Sequence, residues 1–180
     1  MTVLITASSV VAFWKAAGAA KWYAKDDAFD RQFRDAAHDL HWAAARRELD
    51  DWIETAEGAL ALMILLDQYP RNSFRGTAHQ FATDALGLMF AGQAWDRGFP
   101  QTFDADLRQF FVTPFEHSEA LADQDAAVAL SADMPEVLKY AHIHRDIIVR
   151  FGRFPHRNRC LGRDTTPEEQ AFLDEGGFAG

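Results

Sequence analysis

The sequence predicts an all-α protein of antiparallel helix hairpins. Three observations carry that expectation. Almost every periodic stretch repeats its apolar residues at helical spacing, and none alternates convincingly at period two. Caps and stop signals recur at short intervals. The links between periodic segments are short, which makes consecutive helices antiparallel neighbours, about seven to nine of them.

Taken in order, Ser8 or Ser9 is placed to cap a first helix carrying Val10, Trp14 and Ala17, and Gly18 interrupts it before Trp22 and Tyr23. Asp26 or Asp27 caps the next. Phe29, Phe33, Ala36, Ala37, Leu40, Ala43 and Ala44 form one apolar stripe there, with acids early and Arg46 and Arg47 late, as the helix dipole prefers. The run from Ala56 to Gln68 is apolar all round, the pattern of a central helix with neighbours on every side. Asp67 at its end is then buried and needs partners, and Arg71 and Arg75 are the nearest cations.

Pro70 is expected to end that helix, and Gly76-Thr77-x-x-Gln80 to open the next as a capping box. Its buried stripe reads as Ala78, Phe81, Ala82, Ala85, Leu88 and Met89. Thr102 or Asp104 caps a short helix with Leu107, Phe110 and Phe111. Pro114 to Glu119 makes a tight junction into a helix with Leu121, Ala127 and Val128. Pro135 opens a long helix at its first position, with Tyr140, His144, Ile147, Ile148 and Phe151 on one face and Gly152 as its stop. Thr166-Pro167-Glu168-Glu169 starts a short terminal helix.

The 180 residues suffice for one domain, 1–180, with a real core, and no Pro- or Ser-rich linker divides them. Fifteen Phe and five Trp foretell a core, or a pocket wall, of large side chains. A formal charge of −9 argues against general nucleic-acid binding, which needs a basic face. One cysteine, Cys160, rules out an internal disulfide. No signal peptide is read at the start, and the longest apolar run, Ala59 to Leu66, falls far short of the roughly 20 residues that span a membrane, so the expected location is the cytoplasm.

Against that acidic background, arginine is concentrated. Six of the fourteen arginines lie between Arg145 and Arg163, with Asp146 the only acid among them. The stretch RFGRFPHRNRCLGR, Arg150 to Arg163, has a shorter counterpart in LLDQYPRNSFRG, Leu65 to Gly76. Both read as the end of an apolar helix, then an aromatic residue and Pro, then Arg-Asn, then Arg and Gly. The expectation is that these proline-stiffened turns fold against each other.

The segments LLDQYPRNSFRGT, FATDAL, PFEHSE and FGRFPHRN followed by LGR resemble, together and in this order, the uncharacterised bacterial family known as domain of unknown function 924. The resemblance runs from Phe13-Trp14 to the terminal TPEE helix. It implies a tetratricopeptide-like superhelical arrangement, although a strict 34-residue repeat signature is not present. It implies no activity. The family's motif residues fall here on Asp67, Gln68, Arg71, Asn72, Arg75, Asp84, Glu116, His117, Glu119, Arg153, His156, Arg157, Asn158 and Arg163, among others, whereas Cys160 lies outside the pattern.

Two readings of the arginines stand side by side. Arg71, Asn72 and Arg75 on one turn, with Arg153, His156, Arg157, Asn158 and Arg163 on the other, converge on a phosphate or carboxylate. Alternatively they bridge helix carbonyls and pair with Asp67, Asp84, Glu116 or Glu119. Glu116, His117 and Glu119 form a second cluster. A histidine beside two carboxylates suits acid–base work, while the plainer account makes them dipole-favoured acids at a helix start. His142 and His144 point to different sides of a helix, His144 reads as a satisfied core histidine, and His38 and His41 as solvated. No zinc-type or Glu-x-x-His spacing occurs, so no metal or cofactor is expected.

Two functions follow. One is a helical binding protein whose pocket of Asp67, Arg71, Asn72, Arg75, Glu116, His117, Glu119, Arg153, His156, Arg157, Asn158 and Arg163 takes an anionic small molecule or peptide. The alternative is an enzyme in which Asp67, Glu116, His117 or His156 handles protons while Arg71, Arg153 and Arg157 hold an anionic substrate. A homodimer through an exposed patch of Trp14, Trp22 and Trp95 is a further expectation.

Overall fold

The computed structural model describes residues 4–178, which are helical with no strand among them. The order is α1 (Ala7–Ala17), α2 (Ala19–Trp22), α3 (Asp27–Ala45), α4 (Ala56–Met63), α5 (Tyr69–Ser73), α6 (Asp84–Asp96), α7 (Ala105–Arg108), α8 (Thr113–Glu116), α9 (Leu121–Leu130), α10 (Pro135–Phe151), α11 (Asn158–Leu161) and α12 (Pro167–Asp174). Short 3-10 turns occupy several links. No helix among the described residues is long and apolar enough to cross a membrane.

Caps account for most starts. Thr6, rather than Ser8 or Ser9, caps α1, and Ser9 returns the bond to the Thr6 backbone. Asp26 accepts from the Ala28 and Phe29 amides at the head of α3. Thr166 and Glu169 form a reciprocal capping box on α12. Gly152 and Gly162 end α10 and α11 with positive φ, where a side chain would be strained.

α4 is the centre. Gly58 to Met63 are all buried, and α1, α3 and α6 surround α4 and its continuation into α5. Trp14 sits at the middle of the aromatic core, 5.4 Å from Phe33 and edge-on to Phe110 at 5.4 Å. Trp22 stacks on it at 6.0 Å and donates its indole N–H to the Trp14 carbonyl at 2.8 Å. Trp14 and Trp22 are therefore core residues, and Trp95 is half-covered and bonded to the Phe111 carbonyl. They form no exposed patch: Trp14 and Trp22 stack inside the aromatic core and Trp95 packs against it, where burying large rings is most favourable.

Pro70 does not end the central helix. The segment Ile64–Gln68 widens into a π turn, with the Tyr69 amide donating to the Ile64 carbonyl, and helix resumes through Ser73. In a regular α-helix the Pro70 ring would press on the Leu66 carbonyl and leave it without a donor. Here the Thr83 hydroxyl donates to that carbonyl at 2.5 Å. His41 Nδ1 donates to the Leu65 carbonyl at 2.9 Å, and Arg71 to the Asp67 carbonyl at 2.7 Å. Three successive carbonyls of the widened turn are thus satisfied by side chains from other turns. His41, expected to be solvated, is fully buried for this reason. Thr83→Val keeps the shape and removes the hydroxyl, so it is expected to cost about 1–3 kcal/mol for a stranded buried carbonyl, read from urea unfolding midpoints.

The following segment also differs from expectation. Residues Ala78–Phe81 form a 3-10 turn, Gln80 accepts from the Gly76 amide, and α6 begins only at Asp84. Its buried face is Gly87, Phe90, Ala91 and Ala94, while Ala82 and Ala85 are exposed. The helix starts at Asp84, directly after Thr83, whose hydroxyl is held by the π turn. Gly87 lies against the bulge itself, with Leu66 Cβ 3.7 Å from where its own Cβ would be.

α9 and α10 form a hairpin around Val112, Ala127, Met134 and Ala141. The C-terminal segments close over Ile147, Ile148 and Phe154.

Candidate functional site

The two arginine turns, Pro70-Arg71-Asn72 and Pro155-His156-Arg157-Asn158, meet. Arg71 grips Asp84 with both terminal nitrogens, at 2.9 and 3.0 Å, and Arg157 reaches the same carboxylate at 3.5 Å. Both guanidinium groups lie over the Phe81 ring, at 5.9 Å for Arg71 and 4.7 Å for Arg157. Beside them opens a cavity of about 510 Å³. It lies between the bulged central helix, α8, the middle of α10 and the second arginine turn.

At its inner wall stands an Asp–His pair. Asp67 is fully buried and accepts from His117 Nδ1 at 2.6 Å, from the Gln68 amide at 2.6 Å and from the Thr113 hydroxyl at 3.1 Å, with Arg71 at 3.2 Å. Burial pushes its carboxyl up, but Arg71 and His117 outweigh it and hold it well below the usual carboxylate range. An ionised carboxylate only accepts, so His117 carries its proton on Nδ1. Nε2 is then the basic nitrogen of a side chain that lines the cavity. Burial, followed by the charge on Arg71, keeps the imidazole below its ordinary value despite Asp67, so it is neutral at pH 7.

Glu116 lines the same cavity and is 4 % exposed, with Oε1 lacking a hydrogen-bond partner among the described residues. Burial and then the Asp67 charge push its carboxyl up to about 8, so it holds a proton at neutral pH. The turn that presents Glu116 and His117 is fixed by buried Gln124, whose amide reaches the carbonyls of Glu116 at 2.7 Å and Ser118 at 2.6 Å. His144 donates from Nδ1 to the Tyr140 carbonyl at 2.8 Å. It is the satisfied core histidine foreseen, yet its ring also faces the cavity. Burial first holds both His144 and His156 down, to about 4 and about 3.

Of the residues singled out from sequence, Arg71, Asn72, Arg75, Glu116, His117, His156 and Arg157 line the cavity, and Asp67 stands directly behind His117. Asn72 and Arg75 are anchored there by buried Asp30, at 2.7 and 2.8 Å. Glu119, Arg153, Asn158 and Arg163 do not reach it. Glu119 accepts from Arg163 at 2.7 and 3.0 Å and from the Phe154 amide at 2.8 Å. Glu169 accepts from Arg153 at 2.6 and 2.9 Å and from Asn158 at 3.2 Å. Glu119 and Arg163 therefore pin the second turn to the link between α8 and α9, while Arg153 and Asn158 fasten α12 onto that turn. Glu116 and Glu119 share no helical face, because α8 ends at Glu116 and the chain turns before α9. The carboxylate that holds His117 comes from 50 residues upstream.

Other lining residues went unread in the sequence. Trp22, Tyr23, Phe81, Gln109, Glu136 and Tyr140 are among them. Gln68, adjacent to Asp67 in a distinctive motif, is the one whose position offered a signal. Among the described residues no group of three or more His, Cys, Asp or Glu is placed to hold a metal ion.

Comparison with known proteins places this architecture. The family described as "Bacterial protein of unknown function (DUF924)" matches residues 10–177. The chain belongs to that family. A solved structure of a protein of unknown function from Agrobacterium tumefaciens is 56 % identical, superposes with a TM-score of 0.93, and is matched over 94 % of this chain and 97 % of that one. No curated protein matches. Within this DUF924 chain, the arginine turns identified from sequence are the parts that build and brace the cavity wall.

Proposed function

We propose that the cavity binds a small anionic molecule and transfers protons on it, with His117 as base and Glu116 as acid. The observation that carries this reading is the 2.6 Å bond from His117 Nδ1 to buried Asp67, which leaves Nε2 as the basic atom on the cavity wall. Asp67 fixes the tautomer and stabilises the imidazolium formed when Nε2 takes a proton. Glu116 gives its proton to the opposite end of the reacting group and becomes a carboxylate. Return of the proton from His117 to Glu116, directly or through water, restores both. Isomerisations and eliminations next to a carboxylate have this balance, and need two groups whose affinities for protons have been set apart by their surroundings.

A panel of small carboxylates and phosphate esters tests it, with NMR detection of solvent deuterium entering the substrate. Turnover is expected to fall by about 100-fold or more in His117→Gln and in Glu116→Gln. The rate should drop on the acid side as His117 becomes protonated, and on the basic side near pH 8 as Glu116 loses its proton. Exchange or turnover that survives His117→Gln undiminished would remove this function.

A further inference from the structure

Arg157 is built differently from the other arginines of the site. Its guanidinium lies between two rings, 4.7 Å from Phe81 and 4.5 Å from Phe154, so both faces are covered and only the rim is free to bond. One rim nitrogen makes a long 3.5 Å contact to Asp84, whose two oxygens are already held by Arg71. The Nε on the other edge is buried without a partner, and the residue as a whole is 6 % exposed. A buried cationic N–H left unbonded is costly, and the Nε–Nη2 edge of a guanidinium is a fork that matches two oxygens on one atom.

The charges nearby restrict what those oxygens belong to. Arg71 is shared between Asp67 and Asp84, and Arg75 is spent on Asp30. Among the described residues, Arg157 is thus the cavity arginine whose carboxylate contact is the longest, 3.5 Å to Asp84. Phosphate monoesters would bring nearly two negative charges to one uncommitted cation. The remaining walls are mostly Trp22, Tyr23, Tyr140, Phe178 and Val137, which suit an apolar body, with Gln80, Gln109, Thr113 and Glu136 as the polar groups between them.

We infer that the anionic end of the ligand is a single carboxylate held on the free edge of Arg157, and that the ligand is a small monocarboxylate with an apolar body. This rests on the cavity being a ligand site, as proposed above, but not on the proton chemistry. A guanidinium clamped between two rings is oriented before the ligand arrives, so little entropy is lost in forming the paired bonds.

Titration calorimetry on the full chain with benzoate, phenylacetate and 3-methylbutanoate, against phenyl phosphate and benzamide, tests the assignment. At least one of the three carboxylates is expected to bind, and to bind more tightly than its phosphate and neutral counterparts. Arg157→Lys keeps the charge and loses the fork, and should weaken that carboxylate about tenfold or more. Circular dichroism and the melting temperature establish that the variant is folded. Should it misfold, the Arg157 Nε–H resonance of the wild type, followed by NMR, is expected to shift when that carboxylate is added, and an unmoved resonance would overturn the inference. Carboxylate binding by the wild type with no solvent deuterium entering any ligand would remove the proton chemistry and leave this inference standing. Binding by none of the three carboxylates, preference for phenyl phosphate, or an undiminished affinity in Arg157→Lys would overturn it.

Discussion

Asp67→Ala is expected to lower the free energy of unfolding by about 3–5 kcal/mol, the range for breaking a buried charge pair from one side. Asp67 has no exposed surface and gathers four donors, from Gln68, Arg71, Thr113 and His117. Removing the carboxylate leaves the Thr113 hydroxyl and the Gln68 amide without this acceptor and withdraws half of the negative charge facing Arg71. Asp84 still grips Arg71, which keeps the loss from being larger. Asp67→Asn separates charge from volume. It fills the space, but its amide can accept at only one of its two branches, so a cost of about 2 kcal/mol is expected, together with loss of the His117 tautomer. Urea unfolding of the three proteins reads both numbers. A cost under about 1 kcal/mol in the alanine variant would show that the pair does not hold the bulge to α8.

The second large effect is with pH. His41, His144 and His156 have folded values near 4, 4 and 3, in each case because burial disfavours the imidazolium. Unfolded histidine titrates near 6.5. Between those values the unfolded chain binds more protons than the folded one, so stability is full above about pH 6.5 and is lost as the pH falls. Each histidine then costs about 2 kcal/mol at pH 5. Glu116 works in the opposite direction. Its folded value near 8 lies above the unfolded carboxylate, so its contribution is full at low pH and is lost as the pH rises through 8. On going from pH 7 to 5 it returns about 2–3 kcal/mol, leaving a net loss of about 3 kcal/mol. Unfolding free energies measured across this window should show that decline, and Glu116→Gln should steepen it by about 2 kcal/mol. A flat profile between pH 7 and 5 would mean that the histidines are not held neutral by burial.

What was legible from the residues followed from how local each signal is. The apolar stripe of α3, the Asp26 cap, Pro135 at the head of α10 and the Gly152 stop all depend on neighbours within about one turn, and each is found where it was read. The Pro70 region failed for a matching reason. A proline normally ends a helix because no local group can take the carbonyl it strands, and the donor here, Thr83, stands 17 residues away. The recurrence of a proline turn carrying Arg-Asn did foretell that Arg71 and Arg157 meet, and they do so at one cavity wall.

Division of labour among those arginines was settled only by tertiary structure. Arg153 and Arg163 look like Arg71 and Arg157 in sequence, yet Glu169 and Glu119 consume the first two while Phe81 and Phe154 frame Arg157. The His117–Asp67 pair joins residues 50 apart, and the neutral state of Glu116 is set by water's exclusion from around it. Helix formation is decided by groups within four residues of one another, so sequence alone determined the all-α fold. Ion pairing and protonation depend on which distant side chains arrive within about 3 Å and how much solvent they displace. Only packing could decide those.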